Sequence, residues 1–583
     1  NAPLLRACVF RIGERRRLRS LVVHHIVADG WSLDVLLREL SALYVGCLEG
    51  ALPIQYRDYS EWMAGRLEQD ALRAGRAFWK ETLAAPLPAL NLPADHARPA
   101  TLGFEGAVER FPLPRAGSLP LPQFCAERGV SPFMLLLAGV FGLLHRYTGD
   151  QDIVIGTPVA NRGRIELEGQ IGLYLNTLAL RVRLGSETTL SELLGRVRQA
   201  VLDAQEHQSY PFDLLVQDLK VKRSTDRNPL FDVMVVMQDA VRPQFRAPGI
   251  RSAEYPVPIG VSVFDLTFHF TRIDGQVRLD LEYNTGLFGW PRVERLSGHI
   301  DLLIEAIVSN PEAKLGDADI LPGPERRRIL DEFSEGPLRP VPAQTVIDLF
   351  AAQAARNPDR TAVVFGQRRL SYGDLAAASA RLAQRIRRAG VAPGAVVALI
   401  ADRSEWMVAG VVGIMASGAA CLAIDAAQPR ERIERILEDS GCRMVVSDDV
   451  VAADAPPLVS CAQLSDVAYI AYTSGSTGTP KGSPIEHRSL ANLVSALGEA
   501  LYDALPQPAS ELLLTSIGFD VAMKQIFGAL TRGNTLVVAG DALRRDPAAL
   551  MAVVAQGNIH LIDLTPAHFA ALIEQGFARM PKP

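Results

Sequence analysis

The sequence predicts an α/β protein made of several domains, and three observations support this fold class. The chain has 583 residues, more than a single hydrophobic core usually serves, which favours about three to five compact units. In its second half, apolar runs of strand length alternate with helix-like runs, the pattern of a largely parallel sheet covered by helices. Residues 321–344 contain five prolines, which is the composition of a linker.

The overall composition is that of an ordinary globular protein. Hydrophobic residues make up 48% of the chain and charged residues 21%, and the net charge of -5 includes no basic excess that would attract nucleic acid or an anionic membrane. The six cysteines are scattered without metal-ligand spacing, so we predict neither a metal site nor a disulfide framework and expect a reducing cytoplasm. The chain starts with Asn1 rather than methionine, and we expect it to be a piece of a longer protein.

The first 320 residues begin with a predicted hairpin and helix. Leu18–His25 is predicted to be a strand. The basic cluster before it, Arg11 and residues 15–17, is predicted to lie in a solvated hairpin turn. Leucines at positions 33, 36, 37 and 40 have the spacing of an amphipathic helix that begins about Ser32. Asp152–Gly156 is predicted to be a further strand, and proline-rich sequence near Pro93 separates a short first lobe from a longer second lobe.

From Thr345 onward the pattern alternates between helix and strand. The segment Trp406–Ile424 is almost wholly apolar and long enough to span a membrane, but its glycines and flanking charges favour a buried helix, a turn at Ser417 and Gly418, and a short core strand. The predicted elements of this half are helices at Leu382–Arg388 and Met407–Met415 and strands at Ala395–Ile400, Arg443–Val446 and Tyr469–Tyr472.

The pair His24 and His25, followed by Asp29 and Gly30, is the first candidate site. Successive side chains on a strand point to opposite faces, so only one of the two histidines is expected to face a reaction channel. Gly30 permits a sharp turn into the following helix. Taken alone, the pattern is also compatible with a buried histidine pair satisfied by the backbone.

This motif resembles the condensation domains of nonribosomal peptide synthetases, and further motifs of that family follow in family order. The resemblance covers nearly all of residues 1–320, and its other motifs are Tyr56–Trp62, Ile171–Arg181, His207–Asp213 and Arg223–Leu230.

The resemblance implies a fold like chloramphenicol acetyltransferase, with two lobes around a tunnel that carrier-bound donor and acceptor enter from opposite ends. It implies that His25 faces the tunnel, as general base or as a group that orients the acceptor amine, and that Asp29 forms a structural ion pair, for which Arg181 is the candidate partner. The family's first lobe is expected to be incomplete here. An epimerisation domain, which shares the histidine motif, and a catalytically degenerate scaffold that docks carriers are the alternatives.

A Ser/Thr/Gly-rich loop after Tyr472 is the second candidate site. Its glycines let backbone N–H groups converge on an anion, its hydroxyls add donors, and Lys481 adds a positive charge. The spacing differs from a Walker A loop. The proposed nucleotide-binding residues are Thr473, Ser474, Gly475, Ser476, Thr477, Gly478 and Lys481.

The loop resembles the phosphate-binding signature of adenylate-forming enzymes, specifically amino-acid adenylation domains, and the resemblance runs from about Thr345 to the chain end. It implies the N-terminal α/β domain of that fold, with ATP and Mg²⁺ as cofactors. It also places Asp520 against the α-ammonium of an amino acid and Val521, Lys524 and Asp563 around its side chain.

Capping of a helix is the alternative role for Asp520, and pairing with each other is the alternative for Lys524 and Asp563. The partners implied are upstream and downstream carrier domains bearing 4'-phosphopantetheine. Because the family's hinge and C-terminal subdomain are expected to lie beyond residue 583, we expect the chain alone to be incomplete for both reactions.

Overall fold

The computed structural model divides the chain into two compact units, Asn1–Gly336 and Pro337–Pro583. The division falls inside the proline-rich segment that the sequence predicts to be a linker. The residues that the structure describes are 3–47, 50, 52–68, 72–185, 187–221, 224–239, 245–253, 255, 257, 260–273, 276–336, 340, 342–447, 456–474, 480–556 and 559–577. Arg223, the first residue of one predicted motif, lies outside them.

The first unit contains eight strands and ten helices in its described residues. The strands are β1 (Leu5–Arg11), β2 (Arg17–Val23), β3 (Gly106–Leu113), β4 (Asp152–Val159), β5 (Asn176–Arg183), β6 (Val233–Asp239), β7 (Leu266–Ile273) and β8 (Gln276–Asn284). The helices are α1 (Gly30–Tyr44), α2 (Tyr56–Glu68), α3 (Arg73–Thr82), α4 (Pro114–Ser118), α5 (Leu121–Arg128), α6 (Pro132–Thr148), α7 (Leu190–Glu206), α8 (Phe212–Asp218), α9 (Trp290–Ser309) and α10 (Gly323–Arg327). Short turns of 3₁₀ helix occur at His25–Val27 and Ile165–Leu167, and a π-helical turn occurs at Arg328–Glu332.

A six-stranded mixed sheet with the order β3-β8-β7-β6-β4-β5 forms the centre of this unit. Strand β6 runs parallel to both β4 and β7, and the other pairs are antiparallel. Helix α6 is buried from Met134 to Leu144 and packs against α7 and α9. At Gly156 on β4, an added Cβ atom would lie 2.1 Å from the ring of Phe231, so the close approach of ring and strand requires glycine.

Strands β1 and β2 form a separate antiparallel hairpin. All seven residues of β1 are exposed, including the large apolar side chains of Val9 and Phe10. The basic cluster that ends with Arg17 lies at the hairpin turn, as predicted, and the Arg17 guanidinium donates to the carbonyl oxygen of Gly13.

The second unit contains ten strands and nine helices in the part of the chain that the structure describes. The strands are β9 (Thr361–Phe365), β10 (Arg368–Ser371), β11 (Val396–Ala401), β12 (Ala420–Asp425), β13 (Met444–Val446), β14 (Val467–Ser474), β15 (Pro480–Glu486), β16 (Ser510–Leu513), β17 (Thr535–Val538) and β18 (Leu561–Ile562). The helices are α11 (Val346–Arg356), α12 (Tyr372–Arg388), α13 (Glu405–Ala416), α14 (Arg430–Asp439), α15 (His487–Ala500), α16 (Asp520–Leu530), α17 (Asp541–Arg545), α18 (Pro547–Ala555) and α19 (Pro566–Glu574), with a 3₁₀ turn at Tyr502–Ala504.

Two five-stranded sheets, β10-β9-β17-β16-β18 and β13-β11-β12-β14-β15, organise the second unit. All pairs are parallel except the edge pairs β9–β10 and β14–β15, which confirms the predicted largely parallel α/β architecture. The predicted buried helix, turn and core strand are also confirmed: every residue of α13 except Trp406 is buried, Gly418 has φ of 86°, and β12 follows.

In the described residues, no single helix is long and apolar enough to cross a membrane. Helices α5 and α6 are long and apolar enough only when they are counted together, and the two helices are bent by 91° at the break between them.

Candidate active sites

The His-His turn differs from its predicted form, because β2 ends at Val23, before either histidine. His24 caps a 3₁₀ turn instead, and its Nδ1 accepts a hydrogen bond from the backbone N–H of Ile26, 3.1 Å away. His25 is the first residue of that turn. The prediction that strand alternation separates the two side chains was therefore wrong, and both histidines are exposed.

Hydrogen bonding distinguishes the two histidines. Because Nδ1 of His24 is an acceptor, a neutral His24 ring carries its proton on Nε2. The His25 ring makes no hydrogen bond with any described residue and is free to contact a ligand.

Asp29 is buried immediately after this turn and fixes the start of α1. It is the N-cap residue, and its Oδ1 accepts hydrogen bonds from the backbone N–H and the hydroxyl of Ser32, at 2.8 and 2.7 Å. Its Oδ2 accepts from the backbone N–H of Tyr174, 3.1 Å away. Helix α1 thus begins at Gly30, two residues earlier than predicted.

Arg162 is the ion-pair partner of Asp29, and the prediction of Arg181 was wrong. Arg162 Nη2 lies 3.2 Å from Asp29 Oδ1, and the two side chains are 1% and 2% exposed. Arg181 lies on β5 and pairs instead with Asp152 of β4 at 2.7 Å. Arg162 follows β4 in a loop in which Asn161 has φ of 50°, and no local pattern in the sequence links that loop to Asp29.

The electrostatics of this site favour an ionised Asp29. Burial raises its pKa, but the hydrogen bonds from Ser32 and Tyr174 and the charge of Arg162 outweigh burial, so the pKa lies below the usual value for aspartate. The Arg162 guanidinium also stacks on the Tyr174 ring, 4.0 Å from its centroid. Sequence analysis missed Arg162, Ser32 and Tyr174, although Tyr174 lies inside one of the quoted motifs.

The nucleotide-binding candidates lie where β14 turns into β15. These strands pair antiparallel, with Thr473 opposite Lys481, and both of these residues are exposed. The sequence predicts β14 but not β15. Gly475, Ser476, Thr477 and Gly478 lie outside the described residues, as does the side chain of Ser474.

Asp520 is exposed. It is the first residue of α16, and its Oδ1 accepts a hydrogen bond from the N–H of Val521, 2.9 Å away. No described residue forms an ion pair with it, so the carboxylate is open to an external cation. Tyr469 on β14 lies near enough that burial, reinforced by the charge of Asp520, raises the pKa of its phenol to about 12.

The proposed side-chain pocket contains an ion pair of its own. Lys524 Nζ lies 2.5 Å from Asp563 Oδ2, and the two side chains are 23% and 26% exposed. The alternative that these residues pair with each other is therefore confirmed. Val521 is exposed one turn earlier on α16.

Behind this pair lies Glu511 on β16, a buried acid that sequence analysis missed. The Tyr502 hydroxyl donates to it at 2.7 Å, and burial raises the pKa of Glu511 to about 8. The sequence did contain a signal for this residue. Glu511 directly precedes the apolar run Leu512–Leu514, and a short apolar run of this kind is typical of a buried strand.

Sequence profiles assign both units to known families. The condensation domain profile matches residues 1–330, and that of AMP-binding enzymes matches residues 350–463 and 448–582. The chain therefore contains a condensation domain followed by an AMP-binding domain. The chain belongs to the nonribosomal peptide synthetase family.

Individual relatives are similar along almost the whole chain. Bacitracin synthase 1 of Bacillus licheniformis is 36% identical over 98% of the chain, and gramicidin S synthase 2 of Aneurinibacillus migulanus is 34% identical over 98%. The matches cover 11% and 13% of these relatives, so the chain spans about a tenth of their length.

Two solved structures have the same fold. FmoA3, a nonribosomal peptide synthetase with AMPPNP bound, is 26% identical with a TM-score of 0.71, and the match covers 100% of this chain and 64% of that one. The four-domain synthetase holo-AB3403, bound to AMP and glycine, has a TM-score of 0.78 at 23% identity, over 99% of this chain and 46% of that one.

Proposed function

We propose that residues 1–320 form a peptide bond between carrier-bound aminoacyl or peptidyl thioesters, and that residues 345–583, after the linker 321–344, select an amino acid and activate it with ATP as aminoacyl-AMP. The observation that carries this proposal is the His25 ring, which has no hydrogen-bond partner in the described residues and precedes Asp29 of the buried Asp29–Arg162 pair in the same turn. An AMP-binding domain next in the chain favours condensation over epimerisation.

His25 is the residue to which we assign the reaction. An acceptor α-amine has a pKa of about 7.7 to 8.0, so roughly a tenth of it is already neutral at pH 7. His25 therefore need only orient the amine, take up its proton, or stabilise the tetrahedral intermediate. Asp29, held by Arg162, caps α1 directly after the turn. An added Cβ atom at Gly30 would meet no other atom within 4 Å, so the expected need for glycine at this turn is not confirmed.

The second unit binds its substrates through side chains left exposed. Thr473 and Lys481, opposite each other on β14 and β15, suit the phosphates of ATP, and Asp520 suits the α-ammonium of the amino acid. The described residues contain no group of three or more His, Cys, Asp or Glu side chains that could hold a metal ion. Mg²⁺ is usually bound through one or two carboxylates together with the phosphates of the substrate, and we propose that it arrives with ATP.

The partners proposed are carrier domains upstream and downstream, each presenting its substrate on 4'-phosphopantetheine. All six cysteines are free thiols, which fits the proposed reducing cytoplasm.

The test uses a longer protein that includes this chain, supplied with loaded donor and acceptor carriers. Peptide formation and amino-acid-dependent ATP–pyrophosphate exchange are both expected. Lys481→Met should weaken exchange, whereas Lys80→Met, which removes an exposed lysine of α3, should not. Exchange without peptide formation would favour an epimerisation domain, and the absence of both activities would favour a scaffold.

A further inference from the structure

A buried polar cluster lies where α16 packs on β16. Glu511 is 2% exposed and Tyr502 1%. Glu511 on β16 is paired with Leu561 of β18, and Asp563 follows directly after that strand, near enough for its charge to act on Glu511. From α16, Gln525 donates through Nε2 to the carbonyl oxygen of Leu512, 3.1 Å away.

Three acceptor oxygens of this cluster accept no hydrogen bond from the described residues: Glu511 Oε1, Gln525 Oε1 and Asp563 Oδ2, the last of which lies against the Lys524 ammonium. A buried carboxylate that is ionised and only half hydrogen-bonded is costly. A proton on Glu511 removes the charge and also supplies a donor to a cluster that lacks one.

We propose that Glu511 is a neutral carboxylic acid in the folded protein, with its hydroxyl turned towards Gln525, and that it is a positioning residue which keeps the side-chain pocket free of net negative charge. This inference rests on the proposed role of that pocket in selecting an amino acid.

The charges around the pocket then determine which side chains it accepts. With Glu511 neutral, the ammonium of Lys524 balances the carboxylate of Asp563. The ammonium has three N–H donors, and its contact with Asp563 leaves donors for the carboxylate or amide oxygen of a substrate side chain. The Lys524 ammonium would repel a cationic side chain, and the carboxylate of Asp563 is already paired with Lys524 and so would not compensate for this repulsion. The pocket is therefore suited to acceptor side chains and excludes cationic ones.

The surrounding groups agree with this assignment. Burial is the largest influence on Glu511 and raises its pKa to about 8, with the nearby charge of Asp563 in the same direction. The hydrogen bond from Tyr502 and the charge of Lys524 act in the opposite direction but do not cancel it. Arg532 lies further away, over the Tyr502 ring at 5.6 Å.

The first experiment measures thermal unfolding of the 583-residue chain against pH. The unfolded chain releases the proton of Glu511 near pH 4.5 and the folded chain near pH 8, so this group stabilises the fold at low pH, and its contribution falls between about pH 5 and about pH 8. In Glu511→Gln the midpoint of thermal unfolding should fall less over this pH range, because the contribution of Glu511 is absent. Glu405→Gln is the matched control, because Glu405 is also 2% exposed with one unpartnered oxygen. Its unfolding midpoint should fall with pH as much as that of the wild type.

An unchanged pH dependence in Glu511→Gln would overturn the inference. Failure of this variant to fold would also overturn it if Glu405→Gln folds, because an amide is the closest replacement for a neutral acid. Glu511→Met, which is apolar and similar in volume, should show the same loss of pH dependence.

The second experiment measures exchange in a longer protein that includes this chain. The KM for the accepted amino acid should rise above about pH 8 in the wild type and stay level in Glu511→Gln. Ornithine and lysine should support exchange at least about tenfold less well than the accepted amino acid. A preference for either cation would overturn the inference. Inactivity with every amino acid would instead count against the proposed function, and the unfolding experiment would still decide the state of Glu511.

Discussion

At the scale of single residues, the two histidines of the His-His turn have different surroundings although both are exposed. Nδ1 of His24 is engaged by the backbone of the turn, whereas the His25 ring has no hydrogen-bond partner in the described residues. The distinction that strand alternation predicts thus arises from a different cause, the capping of a 3₁₀ turn.

Replacing His25 should therefore harm peptide formation far more than replacing His24. His25→Ala should lower the rate by about 10² to 10⁴, the usual contribution of a general base. His24→Ala should cost mainly stability, since it removes a cap. Both rates are measured with loaded carriers, and a His25→Ala protein that keeps more than about a tenth of the wild-type rate would rule out the assigned role.

The Asp29–Arg162 pair should behave as one energetic unit. Removing one partner of a buried ion pair leaves the other unpaired and commonly costs about 3 to 5 kcal/mol. Asp29→Asn and Arg162→Met should therefore be strongly non-additive when their free energies of unfolding are compared with that of the double variant.

Arg181→Met provides the control for this cycle. It breaks the pair with Asp152 instead, and its effect should add to that of Asp29→Asn. Strong coupling of Asp29 to Arg181, with none to Arg162, would contradict the observed pairing.

At the scale of secondary structure, local pattern predicts much of the fold. The predicted strand at Ala395–Ile400 corresponds to β11, and the predicted helix at Met407–Met415 corresponds to α13, because each is an uninterrupted apolar run with polar or glycine-containing boundaries. Strand β15 was missed because its sequence is polar and its residues are mostly exposed, so neither alternation nor hydrophobicity marks it.

Contacts between distant segments could not be predicted in this way. Asp29 and Arg162 are 133 residues apart, and only the folded sheet brings the loop after β4 to the start of α1. The same holds for Glu511, Tyr502 and Asp563, whose proximity depends on the order of strands in the sheet.

The packing of β4 against Phe231 gives a prediction at this scale. Gly156→Ala places a methyl group against the ring and should cost about 1 to 3 kcal/mol through overpacking. Gly195→Ala is the control, because an added Cβ atom in the middle of α7 meets no other atom within 4 Å and should stabilise the helix by about 0.5 to 1 kcal/mol. Equal effects of the two variants in chemical denaturation would contradict this account.

At the scale of the whole molecule, the two units have separate hydrophobic cores. The core of the first contains Phe141 and ends at Ile320, and the main core of the second begins at Val346 and contains Phe527. Both phenylalanine side chains are fully buried.

Independent cores predict separable unfolding. Phe141→Ala and Phe527→Ala should each cost about 3 to 5 kcal/mol, and each should lower the midpoint of one calorimetric transition while the other stays in place. A single transition that moves equally in both variants would show that the units unfold as one.

The exposed β1–β2 hairpin has a consequence for the behaviour of the protein in solution. Among the described residues β1 pairs with β2 alone, so its other edge presents an open row of backbone donors and acceptors next to the apolar side chains of Val9 and Phe10. Such an edge is a template for pairing between molecules. The 583-residue chain should therefore aggregate, with light scattering that grows with protein concentration. Val9→Lys should reduce this aggregation without changing any residue assigned to catalysis.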